Sequence, residues 1–168
     1  MKLKYNKLYH NIIKEYQALS TCGRLQVAAI LVENGRVISA GYNGVPSGQR
    51  HCRDLFKMEE VDGVIRYYHR DYPEEKWVEY PEDKWKAMHH EFAEMYEIHA
   101  EMNCIAHGFL NGVDVKNAEL IVSMQPCDNC AKLIVASGIK TVWFINSYDR
   151  TSNSIMFLMD NGVQIEKL

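Results

Sequence analysis

Four residues in two short segments have the types and spacing of a catalytic metal site. His99 and Glu101 stand two positions apart, and Cys127 and Cys130 follow within the segment Pro-Cys-Asp-Asn-Cys. One imidazole and two thiolates are ligands that Zn²⁺ prefers, and three protein ligands leave a fourth tetrahedral position open, which is typical of a catalytic site. A carboxylate beside such a site can accept and donate protons. The pattern predicts zinc on the histidine and both cysteines, with Glu101 as general acid and base.

The surrounding sequence places these residues at the starts of two helices. Apolar residues recur at helical spacing over His99–Phe109. A second helix is predicted over Asp128–Ser137, with Gly138 as its C-terminal stop. Because a helix N-terminus favours negative charge, it stabilises thiolates over thiols there. The alternative, a redox disulfide between the two cysteines, leaves the histidine and the glutamate without a role.

Composition restricts the class of protein. A chain of 168 residues with 47% hydrophobic and 24% charged residues is typical of one soluble globular domain. The net charge of -3 argues against a broad basic face for long nucleic acid. We see no signal-peptide pattern and no apolar run of the ~18 residues that a membrane helix requires, so we expect a cytoplasmic protein with no membrane partner. The five cysteines then indicate metal ligands rather than disulfides.

The remaining periodicity predicts a mixed sheet packed between helices. An Asn-Gly turn joins the first two strands as a hairpin, whereas the later strands alternate with helices, which implies parallel crossovers. We predict helices over Tyr5–Leu19 and Ser152–Asn161, and strands over Val27–Val32, Val37–Gly41, Glu119–Met124, Thr141–Ile145 and Val163–Lys167.

The segment Gln49–Glu97 interrupts this pattern. It is rich in charged and aromatic residues, and we predict an irregular insertion at about 49–97 in a single domain spanning 1–168, with a short helix near Glu82–Tyr96. The glycine-rich loop Gly41–Gly48 precedes it. There the backbone can approach a ligand closely, although an ordinary surface turn is the alternative.

These segments resemble the deoxycytidylate (dCMP) deaminase family, and its phage-encoded members most. His-x-Glu with a later Pro-Cys-x-x-Cys is the signature of zinc-dependent nucleobase deaminases. The strand Val27–Val32, the loop beginning Gly41-Tyr42-Asn43-Gly44 and the segment His99–Asn103 match the family pattern. The resemblance implies an α/β fold, a three-layer α/β/α sandwich around a five-stranded mixed sheet, and a homo-oligomer with a hexamer favoured.

The resemblance implies hydrolysis of dCMP to dUMP and ammonia, which supplies dUMP for thymidylate synthesis. Asn43 would bond the deoxyribose, and Tyr148 would contact the sugar-phosphate end of the substrate. Arg24 is a candidate phosphate partner, with a solvated surface charge as the alternative. Family members are activated by dCTP and inhibited by dTTP, and Gly41, Tyr42, Asn43 and Gly44 would contribute to effector binding. A phage-encoded member would work in the host cytoplasm.

The resemblance also implies a second, structural zinc site. Phage-type members use two cysteines, a histidine and a glutamate in an order and spacing that correspond here to Cys22, Cys52, His89 and Glu97. A charged insertion of this length requires a cross-link, such as a metal ion, that holds it to the rest of the domain. His90 is a rival for the histidine position. Cys104, on the helix after His99, is expected in the core rather than on a metal.

Other functions remain as alternatives. The segment Gly23–Gln26 and Ala28 depart from the family pattern, so dCTP could be a substrate as well or instead. A tRNA or single-stranded nucleic-acid deaminase would need a basic track with stacking aromatic residues, but acidic residues accompany the aromatic ones here. A zinc-stabilised binding module without activity would have no need of Glu101.

Overall fold

The computed structural model describes residues 5–71, 73–147 and 153–168. They form two compact units. The first unit comprises 1–20, 27–42 and 99–168, and the second comprises 21–26 and 43–98. The second unit therefore contains the predicted insertion together with short flanking segments.

Eight strands and six α-helices make up the described part of the chain. The strands are β1 (Ala28–Glu33), β2 (Arg36–Tyr42), β3 (Phe56–Val61), β4 (Val64–Asp71), β5 (Lys76–Tyr80), β6 (Glu119–Met124), β7 (Thr141–Asn146) and β8 (Gln164–Lys167). The helices are α1 (Asn6–Ala18), α2 (Cys52–Leu55), α3 (Glu82–Tyr96), α4 (Ala100–Leu110), α5 (Asp128–Ser137) and α6 (Ser154–Asp160). None of these helices combines the length and apolar character that a membrane crossing requires.

The first unit is built on a five-stranded sheet in the order β2-β1-β6-β7-β8. β1 pairs antiparallel with β2 and with β6, whereas β7 lies parallel to both β6 and β8. The sheet is therefore mixed, as the early hairpin and the late crossovers predict. The expected five-stranded mixed sheet is confirmed.

Both faces of this sheet are covered. Tyr9 and Ile13 of α1 pack on Ile30 of β1 and its neighbours on the same face. Successive side chains of a strand point to opposite faces, and Leu31 lies against Gly108 of α4 on the other side. Burial on both faces explains why β1 is a continuous apolar run rather than an alternating one.

The second unit contains a regular sheet, so the expectation of an irregular insertion is wrong. β3, β4 and β5 form an antiparallel three-stranded sheet. Asp62 and Gly63 join β3 to β4, both with positive φ, which is the backbone conformation of a type I′ hairpin turn. The sheet packs around the fully buried Trp85 of α3, whose Nε1 donates to the Tyr68 carbonyl at 2.8 Å.

Candidate active site and metal centres

The first cluster comprises His99, Cys127 and Cys130, and it lies where two helices of the first unit begin. His99 is the N-cap residue of α4, Cys127 is the N-cap residue of α5, and Cys130 follows in the first turn of α5. The Nδ1 atom of His99 lies 3.5 Å from Sγ of Cys127 and 3.4 Å from Sγ of Cys130. The three ligand atoms all lie within 4.8 Å of one another. One ring nitrogen and two sulfurs that converge in this way fit a zinc ion.

The two thiols of this cluster have pKa values shifted in opposite directions. The thiol of Cys130 donates a hydrogen bond to Cys127, which lowers the pKa of Cys127 to about 4. The same bond raises the pKa of Cys130, because its proton is held between the two sulfurs. The Cys130 backbone N–H, 3.5 Å from Sγ of Cys127, also favours the thiolate. A thiolate at Cys127 would suit a cation.

Glu101 lies beside these groups, in the first turn of α4. Its side chain is buried, with 4% of the residue exposed. Burial is the largest cause that raises the pKa of this carboxyl, to about 7. A carboxyl group with a pKa near neutrality can both accept and donate protons at physiological pH, which is what a general acid and base must do.

The second cluster comprises Cys22, Cys52 and His89, all buried within the second unit. Nε2 of His89 lies 3.5 Å from Sγ of Cys22 and 3.3 Å from Sγ of Cys52. The imidazole stacks on Trp85 with ring centroids 5.3 Å apart. Its Nδ1 atom is buried and has no hydrogen-bond partner among the described residues. His90, the rival histidine, is exposed on α3 and does not belong to the cluster.

Glu97 lies near the second cluster but is not one of its three closely grouped ligands. It is the C-cap residue of α3. The hydrogen bond with Cys22 and burial raise the pKa of Cys52, and the negative charge of Glu97 adds a smaller contribution. The Cys22 thiolate accepts that hydrogen bond, which lowers its pKa to about 3. Two sulfurs, one imidazole and a nearby carboxylate are a donor set that fits a structural zinc.

Comparison with known proteins identifies the family. The family model of the cytidine and deoxycytidylate deaminase zinc-binding region matches residues 3–146. The chain is 34% identical over 143 residues to the deoxycytidylate deaminase of Enterobacteria phage T4, which covers 78% of this chain and 72% of that protein. The protein belongs to the cytidine and deoxycytidylate deaminase family. It is also 31% identical over 149 residues to ComE operon protein 2 of Bacillus subtilis (strain 168), over 89% of this chain and 63% of that protein.

A solved structure supports the same family assignment. The dCMP deaminase from the cyanophage S-TIM5, in complex with dCMP and dUMP, matches with a TM-score of 0.71 at 25% sequence identity. The match covers 100% of this chain and 99% of that chain. Fold, sequence and the His/Cys/Cys cluster thus agree on a zinc-binding deaminase.

The predicted substrate residues of this deaminase lie mostly in its second unit. Asn43 is 7% exposed, and its Nδ2 donates to the Leu25 carbonyl at 2.9 Å. Arg24 is half-buried in the adjoining segment. Tyr148 lies outside the described residues. The roles of all three in substrate binding stay predictions.

The glycine-rich loop has structural contacts that the sequence did not reveal. Gly41 is buried, and a Cβ added there would lie 2.8 Å from the Ala100 carbonyl oxygen at the start of α4. Gly44 pairs with Ile98 through two backbone hydrogen bonds of 3.2 and 2.9 Å. Close packing and backbone pairing thus explain why Gly41 and Gly44 suit these positions. The role of Gly41, Tyr42, Asn43 and Gly44 in effector binding stays a prediction.

Proposed function

We propose that the protein catalyses the hydrolytic deamination of dCMP to dUMP and ammonia. The observation that carries this proposal is the buried carboxyl of Glu101 in the helix that begins at His99, one of the three grouped zinc ligands. The relatives named deoxycytidylate deaminase, and the cyanophage enzyme with dCMP and dUMP bound, support dCMP as the substrate. They favour it over dCTP and over a tRNA or single-stranded nucleic acid.

In this proposal the first cluster holds zinc and Glu101 moves protons. When bound, zinc supplies Lewis-acid chemistry that makes water a nucleophile near neutral pH. Glu101 accepts one proton from the water that attacks C4 of the cytosine and passes it to N3. It then takes the second proton from the hydroxyl now on C4 and passes it to the departing amine, so that ammonia leaves and a carbonyl remains. Its burial keeps bulk water from the carboxyl and holds its pKa where both transfers are possible.

Substrate contacts complete the proposal. Asn43 would recognise the deoxyribose, and Arg24 and Tyr148 would meet the phosphate end. The amide of Asn43 is already oriented by its bond to Leu25, which supports a fixed contact rather than a mobile one.

A second zinc ion is the proposed role of Cys22, Cys52, His89 and Glu97. The convergence of both sulfurs on Nε2 of His89 supports it. The burial of all three side chains also supports it, because buried thiols and imidazoles need polar partners. This zinc would tie Thr21–Gln26 to α3 within the second unit.

The regulation and the setting of the enzyme are also proposals. The protein would act in the cytoplasm, which for a phage-encoded member is that of the host, as a homo-oligomer with a hexamer favoured. dCTP would activate it and dTTP would inhibit it, through the loop that begins at Gly41. A hyperbolic dCMP saturation curve that neither nucleotide changes would contradict this regulation.

A substrate comparison tests the proposed function. The zinc-loaded protein is incubated separately with dCMP, dCTP, cytidine and a tRNA, and ammonia release is followed. We expect dCMP to have the highest kcat/KM, because the predicted contacts read both the phosphate and the deoxyribose. Equal turnover of cytidine, or a preference for dCTP, would overturn the substrate assignment. No ammonia from any of them would favour a binding module.

A further inference from the structure

A chain of polar contacts lies at the carboxyl ends of β6 and β7 in the first unit. The Ala28 amide donates to Oγ of Ser123 at 3.0 Å, and Nδ2 of Asn146 donates to the Ser123 carbonyl at 2.9 Å. The backbone N–H of Gln125 donates to the Asn146 carbonyl at 2.8 Å. The side-chain Nε2 of Gln125 donates to Oγ of Ser154 at 3.3 Å. Three strands and α6 are thus linked around Gln125.

Three polar side chains in this chain of contacts are deeply buried. Ser123 is 1% exposed, Gln125 is 6% exposed and Ser154 is fully buried. Burying an amide or a hydroxyl is unfavourable unless it is hydrogen-bonded, and an apolar residue would fill the same space without that cost. A glutamine at this position therefore needs a reason other than core packing.

The short connection from β6 to α5 explains why a buried glutamine occupies position 125. Only Gln125, Pro126 and Cys127 lie between the end of β6 and the start of α5. Proline has no backbone N–H to anchor the chain. On the β6 side of Cys127, Gln125 provides two anchors, one to β7 through its backbone and one to α6 through its side chain.

We propose that Gln125 is a positioning residue for the thiolate of Cys127. Its side-chain bond to Ser154 fixes the turn that aims Sγ of Cys127 at the metal, so that the cluster is preorganised. Gln125 touches neither substrate nor reacting atoms, and it acts only through Cys127. The inference rests on the proposed function, since it requires zinc at the first cluster.

The test compares Gln125→Met, which keeps the length of the side chain but loses the donor, with Gln164→Met. Gln164 is exposed on β8, so the second variant makes the same chemical change without the contact. Zinc-loaded proteins are mixed with a chelator and iodoacetamide, and peptide mass spectrometry follows alkylation of each cysteine with time. We expect Cys127 to be labelled about tenfold faster in Gln125→Met, as for other residues that orient a metal ligand. The control variant should match the wild type.

Cys104 serves as an internal reference, because it is fully buried and becomes accessible only on wider unfolding. A merely structural role for Gln125 would accelerate labelling of Cys104 and Cys127 together, and that result would overturn the proposal. Ser154→Ala removes the same hydrogen bond from the other side, and the double variant should be no faster than either single variant. The Ser154→Ala single variant decides the matter if Gln125→Met does not fold.

The two proposals fail in different ways. If zinc gives Cys127 of the wild type no protection from alkylation, the first cluster does not hold zinc, and the proposed function falls with this inference. If zinc protects Cys127 equally in the wild type and in both single variants, only the positioning role of Gln125 is refuted.

Discussion

Gly41 of β2 lies directly against the backbone of Cys104 in α4. A Cβ built on Gly41 would clash with the Cys104 amide nitrogen and would lie 2.9 Å from its Cα. The neighbouring strand residue Ser39 donates from Oγ to the Cys104 carbonyl at 2.8 Å. α4 therefore packs on β2 at a distance that only glycine permits at position 41. This close contact fixes the position of α4, the helix that carries Glu101 and whose N-cap residue is His99.

Gly41→Ala should reduce both stability and turnover. The clashing atoms belong to backbone, so β2 and α4 must move apart, and overpacking of this kind costs ~1–3 kcal/mol. We expect the melting temperature to fall by several degrees and kcat to fall further than the lost folded fraction explains, because Glu101 moves with α4. Thermal denaturation and ammonia release measure the two effects.

Gly112→Ala is the control for this substitution. Gly112 adopts a left-handed backbone conformation, with φ of +70, but no atom lies within 4 Å of an added Cβ. It should lose ~1–2 kcal/mol through backbone strain alone and keep its turnover per folded molecule. Equal losses of turnover in the two variants would contradict the proposal that close packing at Gly41 positions Glu101.

Glu101→Gln should abolish most turnover and leave zinc in place. The amide keeps the size of the side chain but cannot carry protons, and general acid–base groups typically contribute ~10²–10⁴-fold. Zinc content by elemental analysis and ammonia release from dCMP are measured on the same sample. Glu91→Gln, an exposed position on α3, is the matched control. Near-normal ammonia release by Glu101→Gln would remove Glu101 from the mechanism.

Loss of the second cluster should halve the zinc content without emptying the active site. In the Cys22→Ser, Cys52→Ser double variant, hydroxyls replace both sulfurs and His89 alone remains of the three grouped ligands, which is too few for a structural site. Cys104→Ala, which removes a buried thiol outside both clusters, should keep all of its zinc. The idea is wrong if fully loaded wild-type protein holds a single zinc ion per chain.

Cys104 should be much less reactive than Cys127 in the native protein. It is fully buried, and burial raises its pKa to about 12, so almost no reactive thiolate exists at pH 8. After chelation, iodoacetamide should modify Cys127, whose pKa is lowered to about 4, and leave Cys104 unmodified until denaturant is added. Mass spectrometry of the intact protein would show the two steps, and early alkylation of Cys104 would contradict its assignment to the core.

The sequence predicted those elements whose pattern is local. α5 spans Asp128–Ser137 and β6 spans Glu119–Met124, as the apolar spacing and the stop at Gly138 indicate. Gly138 adopts φ of +81 at the helix end, which is the left-handed conformation that favours glycine. His99 and the two cysteines could be proposed as one cluster because the His-x-Glu and Cys-x-x-Cys spacings are specific.

The insertion was harder to predict, because its strands are amphipathic and its aromatic residues are spread over many positions. The signal that could have revealed the hairpin is the Asp62-Gly63 dipeptide between β3 and β4. The role of Gln125 has no signal in the sequence, for a different reason. A single polar residue beside Pro126 has no periodicity, and its partner Ser154 is distant in the sequence, so only the folded chain brings them together.

Both helices of the first cluster begin at a proposed metal ligand. The N-cap position favours serine, threonine, aspartate or asparagine, yet His99 and Cys127 occupy it in α4 and α5. Neither residue is a preferred cap, and the Cys127 sulfur accepts its capping N–H only at 3.5 Å. At these two positions, the side chain that suits the proposed metal is therefore not the one that would best stabilise the helix start. A metal-free chain would gain from Cys127→Ser as a better cap, while the enzyme would lose a ligand. At each of these two helix starts, a single residue thus serves the proposed metal site at a cost in helix stability.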